Sequence, residues 1–140
     1  MKLSKALKLK NKLVAEINDA MSYVLRNNSQ EVTTPRAYSV KEKLAELETK
    51  TAQLVALKTS IHKANLPVWD KVFRMSELKS QLVKLKHLDT AERAESPTGV
   101  RPAVTAEVKE TEKDQLVKQL QEAIEALQDQ LDHHNHTTEV

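Results

Sequence analysis

From Leu3 onward apolar side chains recur in steps of three and four, at Leu3, Leu7, Val14, Ile17, Met21 and Val24, with Lys10 on the same stripe. That spacing predicts a heptad-bearing first helix over residues 3–27. Asn27-Asn28-Ser29-Gln30 ends it, and Pro35 pushes Thr34 out of the helical region, so residues 28–38 read as a linker. Ser39-Val40-Lys41-Glu42 has the spacing of a capping box and opens a second helix, 39–65. Its expected seam is Val40, Leu44, Leu47, Thr51, Leu54, Lys58, Ile61 and Asn65. Val55 and Leu57 widen the apolar face, as they would in a helix that meets more than one neighbour.

Pro67 interrupts this helix, and a third stripe follows at once: Val68, Val72, Met75, Leu78, Leu82, Leu85 and Leu88, within a helix expected over 67–93. So short a connection predicts an antiparallel hairpin of the second and third helices, with arms roughly 38 Å long. Ser96-Pro97-Thr98-Gly99-Val100-Arg101-Pro102 marks a second linker, 95–104. Val104, Ala106 and Val108 alternate with polar residues and suggest a short extended strand. A fourth helix over 111–132 carries Leu116, Leu120, Ala123, Ile124, Leu127 and Leu131, and residues 133–140 read as a loose polar tail. The expected fold is all-α: one domain over 1–132, built of long antiparallel helical hairpins as a four-helix up-down bundle or a coiled-coil-like assembly.

Composition narrows the chemistry. The chain contains a single Gly, which leaves no room for Gly-rich phosphate loops or nucleophile elbows. It has no Cys, so thiolate nucleophiles, Cys-ligated zinc and disulfides are excluded, as suits a reducing cytoplasm. No apolar run is long enough to span a membrane, and Lys2, Lys5, Lys8, Lys10 and Lys12 break up any signal-peptide core. A cytoplasmic protein is expected.

The net charge of +2 is too small to suggest a nucleic-acid binder, but it is unevenly spread. Residues 1–12 hold five Lys and no acid, whereas residues 105–132 hold three Lys and eight Asp or Glu. The asymmetry predicts that the first helix packs beside the fourth, within one chain or across a dimer, with Lys2 to Lys12 near Glu122, Glu125, Asp129 and Asp132.

Few residues invite a site. His133, His134 and His136 cluster, and His133 and His136 stand at a helical ligand spacing, yet no carboxylate completes a metal set and the bland reading is a solvated tail. No Glu is followed by His three residues later, which removes the di-metal carboxylate bundle. Lys2, Lys5, Lys8 and Lys12 line one helix face that could bind anionic lipid or a nucleic-acid backbone, the plainer reading being a surface that faces solvent or the fourth helix. Trp69 and Phe73 are expected to cap one end of the bundle or to form a partner-facing aromatic patch. Lys10, Thr51, Lys58 and Asn65 fall on the expected seams, where polar side chains can fix register.

Met1-Lys2-Leu3 with Ala6-Leu7, the Ile61–Asn65 stretch, and the closing Asn135-x-Thr137-Thr138-Glu139-Val140 together resemble the septicolysin family of small bacterial proteins. The resemblance implies an all-helical protein with long antiparallel helices and carries over no catalytic residue or cofactor. The expected function is therefore that of a non-enzymatic helical protein, a homo-oligomer of two or more chains that presents surfaces to another macromolecule. The alternative is a membrane-active, cytolysin-like protein using the basic first helix.

Overall fold

The first two helices end where the sequence places its breaks. In the computed structural model, which describes all 140 residues, α1 spans Leu3–Asn27, α2 Val40–Asn65, α3 Trp69–Leu85 and α4 Glu110–Thr137, with one turn of 3₁₀ helix at Leu66–Val68. The backbone is all-helical and holds no strand. Ser39 caps α2 as its spacing predicts, its hydroxyl accepting from the Glu42 N–H at 3.3 Å. The chain divides into two compact units, Met1–Pro67 with His133–Val140, and Val68–Asp132.

In the first unit α1 and α2 form the hairpin, their backbones side by side. At Pro67, Leu66 keeps helical angles (φ −48°, ψ −43°), and its N–H bonds the Lys63 carbonyl in a tightened last turn. Proline lacks a donor but holds a helix-compatible φ, so it is accommodated within the 3₁₀ turn Leu66–Val68.

The seam of this hairpin is also rotated from the expected one. On α1 the covered positions run Leu3, Ala6, Lys10, Leu13, Ile17, Ala20 and Val24, in strict alternation of three and four, while Val14 and Met21 stand 36% and 40% exposed. On α2 they run Val40, Lys43, Leu47, Lys50, Leu54, Leu57, Ile61 and Ala64, leaving Leu44, Thr51 and Lys58 outside. Alanine explains the rotation: Ala6, Ala20 and Ala64 let the two backbones approach closely, so the faces with small residues turn inward and larger side chains flank them. The firmest packing is a cluster of Leu3, Ala6 and Ile61, against which Leu7, Leu57, Ala64 and Val140 lie.

The second unit holds α3, the loop and most of α4. The half-buried stripe of α3 is the expected one, but the helix stops at Leu85 and not near residue 93. His87 and Leu88 donate to the carbonyls of Lys84 and Leu85, three residues back, and the Asp89 carboxylate accepts from the Ala91 N–H at 2.9 Å, turning the chain out of the helix. The expected strand near Val104 is reduced to one antiparallel bridge with Arg93, closed by a turn in which Gly99 takes φ +72°. That is the one position where the backbone needs its glycine. The last helix runs on to Thr137, past the expected end at 132, and the residues beyond it are docked, not loose.

Buried apolar residues are few: Leu3, Ala6, Leu13, Ala20, Val40, Ile61, Val68 and Leu131. The rotated seam is open to test by urea unfolding: Leu13→Ala should cost about 2–4 kcal/mol, whereas Val55→Ala, on the outer face of α2, should stay within about 0.5 kcal/mol.

Candidate interaction surfaces

Residues 133–140 are held by hydrogen bonds to the start of α1 and the end of α2. The Leu3 N–H donates to the Thr138 carbonyl (2.8 Å) and the Val140 N–H to the Met1 carbonyl (2.9 Å), making a single antiparallel bridge between Lys2 and Glu139. The Glu139 carboxylate takes the Lys2 ammonium at 2.7 Å and the N-terminal ammonium at 2.9 Å. Those two cations pull its pKa down to about 2, Lys2 contributing most. His134 bridges two neighbours: Nε2 lies 3.0 Å from the Ala64 carbonyl in the last turn of α2, and Nδ1 lies 3.1 Å from the Thr138 hydroxyl. A carbonyl only accepts, so Nε2 carries the proton, and the imidazole satisfies a helix-end carbonyl that would otherwise lack a partner.

The α1/α2 hairpin has two unlike flanks. Along one, Lys50 pairs with Glu16 at 2.7 Å and with Glu46 at 3.1 Å, and Lys43 pairs with Glu46 at 3.2 Å. Lys50 lies between the two acids and holds both carboxyls below the usual range, while its own pKa is raised by them. Tyr23 and Tyr38 close the end of this flank, the Tyr23 hydroxyl donating to the Tyr38 carbonyl (2.8 Å) and accepting from its N–H (3.0 Å). Lys43 rests over the Tyr38 ring, 4.6 Å from its centre. Together with Asp19 these residues line a small polar cleft in which Glu16 and Glu46 are paired by lysines. The other flank carries the half-exposed Val14, Met21 and Leu44.

The candidate residues fall in three places. Lys5, Lys8 and Lys12 surround Met1 and Leu9 in an open, mainly apolar cleft on α1, and only Lys12 reaches an acid, Glu16 at 3.8 Å. Lys2 is drawn away from that row, donating to the Thr137 carbonyl (3.2 Å) as well as pairing with Glu139. Within the first unit the acids that these lysines reach are Glu16 and Glu139. Trp69 and Phe73 stack with ring centres 5.5 Å apart at the start of α3, Trp69 half-buried and Phe73 exposed. His133 and His136 lie on the last turns of α4, and no group of three His, Asp or Glu side chains converges on a metal-sized site.

Sequence reasoning met His134 only as a member of the histidine cluster and Glu139 only in the closing motif, and did not single out the Glu16–Lys50 pair. The run Lys43, Glu46, Lys50 was legible as helical i, i+3 and i, i+4 spacing, but its position beside α1 depends on the rotated seam. No helix is long and apolar enough to cross a membrane.

Comparison with protein-family models, with curated proteins and with solved structures found no match. The surfaces are accordingly read from their own chemistry. Glu139 gives a pH signature. Because its folded pKa lies below the ordinary value, its pairing stabilises the fold above about pH 4.5 and is lost as the pH falls from there towards 2. Melting temperatures of the native chain and of Glu139→Gln should differ at neutral pH, native higher, and converge by about pH 2.

Proposed function

We propose that this is a non-enzymatic helical protein that associates with itself, as a dimer or larger, and so presents helical surfaces to another macromolecule. The observation that supports it is unfinished burial. Eight apolar residues are buried in a chain of 140, and α3 contributes none of them. The half-exposed stripes on every helix are what a second layer of helices would cover. The clefts favour binding over reaction chemistry: in the polar one Glu16 and Glu46 are already paired by lysines, and two others are lined mainly by Lys and aliphatic side chains. The septicolysin resemblance belongs to the same reading, since it implies long antiparallel helices without catalytic residues.

The basic cleft of α1 favours a second reading, a membrane-active protein. Lys5 and Lys8 flank Met1 and Leu9 as basic and apolar residues do on helices that lie in a lipid interface. No aromatic anchor accompanies them. This reading ranks second for that reason.

Light scattering of the untagged chain at micromolar concentration should return a mass of two chains or more; a stable monomer would overturn the first reading. Co-sedimentation with phosphatidylcholine vesicles containing phosphatidylserine separates the second. Salt-sensitive binding that is lost in Lys5→Glu/Lys8→Glu supports it, and no binding sinks it.

A further inference from the structure

The geometry points to an isologous dimer in which the α3/α4 pair of one chain packs against the α3/α4 pair of a second copy, each α3 lying beside the other copy's α4. This rests on the self-association proposed above and names its surface.

The first support is the state of the two seams. No side chain of α3 is buried; Val72, Met75, Leu78, Leu82 and Leu85 are all partly exposed. Along α4 only Leu131 is buried, while Val117, Leu120, Ile124 and Leu127 remain half-covered. The two helices run antiparallel, because Lys113 near the start of α4 donates to the Leu88 carbonyl just past the end of α3 (3.1 Å). Leu85, Leu88 and Leu120 line one open cleft between them. Two helices can seal only the line along which they touch, so both sides of that line stay wet until further helices cover them. A second antiparallel pair completes such a layer as a four-helix arrangement, the smallest that encloses a continuous apolar interior.

The second support is charge, and it selects the occupant. Helix α3 is basic, with Lys71, Arg74, Lys79 and Lys84 against Asp70 and Glu77. Helix α4 is acidic, with seven Asp or Glu between Glu110 and Asp132 against Lys113 and Lys118. A second copy supplies both signs at once. Stacking α3 on the other copy's α3 would bring basic rims together, and α4 on α4 acidic ones. Setting each α3 beside the other copy's α4 matches opposite rims twice under one two-fold axis. A foreign helix of one sign would satisfy only one of the two.

The test uses full-length chains with reversed charges beside the apolar stripes: Arg74→Glu/Lys79→Glu, and Asp114→Lys/Glu125→Lys. All four side chains are exposed and outside the ion pairs of the fold, so both variants should keep the helicity and melting behaviour of the native chain. In sedimentation equilibrium at low salt, each variant alone should self-associate about tenfold or more weakly than the native chain. An equimolar mixture of the two should recover native affinity as a heterodimer, because the reversed rims then face their opposites. A native oligomer that neither variant weakens places the interface elsewhere and overturns this assignment while leaving self-association intact. Weakening that mixing fails to restore also overturns it, since the charges then do not meet across chains. A monomeric native chain overturns both proposals.

Discussion

The backbone of this protein leaves right-handed or extended conformations at one residue only, Gly99. That constraint governs how the helices end. Many helices terminate on a left-handed glycine that folds the last N–H groups back onto free carbonyls. Here the residues at the ends of α1, α2 and α3 are Asn28, Leu66 and Lys86, all in right-handed helical conformation. Other carbonyls at helix ends must therefore find donors elsewhere in the chain. Arg36 reaches back to the carbonyls of Asn27 and Asn28, His134 to Ala64, and Lys2 to Thr137. Each is a long cationic or imidazole side chain at the negative end of a helix, where the macrodipole also favours it. The long-range ties of the first unit follow from satisfying helix ends in a chain with almost no glycine.

The boundaries of α1 and α2 were legible because their causes are local, whereas α3 stops earlier and α4 runs further than the pattern suggested. Ser39 is a cap by chemistry, and the polar run from Asn27 to Gln30 halts a helix wherever it falls. The choice of which face turns inward was less legible, because it depends on the partner. Val14 and Met21 are more hydrophobic than Ala6 and Ala20, and a periodicity argument ranks them first. A close-packed helix pair ranks them by size instead. The same shift moved Lys43 and Lys50 into the seam of α2 and put Thr51 and Lys58 outside. In α3 the expected stripe and the half-buried one coincide, since no small-residue face competes there.

Charge was legible as an asymmetry but not as a set of pairs. The basic start of the chain suggested a partner in the acidic fourth helix, yet Lys2 is used by Glu139 and Lys12 leans towards Glu16. Lysine side chains reach several ångströms, and a single carboxylate at a helix end can capture one more firmly than a diffuse acidic face. The α1/α2 hairpin thus seals one flank by ion pairs and leaves the other to Val14, Met21 and Leu44. A pair of helices with one closed and one open side is a directional building block. What it joins is decided by the open side.

The bridge between Lys2 and Glu139 has a kinetic side as well. The N-terminal ammonium and Glu139 are separated by 138 positions, so their contact closes almost the whole chain into one loop. Closing a loop that long is entropically costly and gains little until the helices between its ends are in place. During synthesis α1 and α2 can pair as soon as both have emerged, but the cluster around Leu3, Ala6 and Ile61 lacks Val140 until residues 133–140 have been made. The first of these helices therefore waits for a segment made well after it, and the hairpin spends that interval with Leu3 less completely covered.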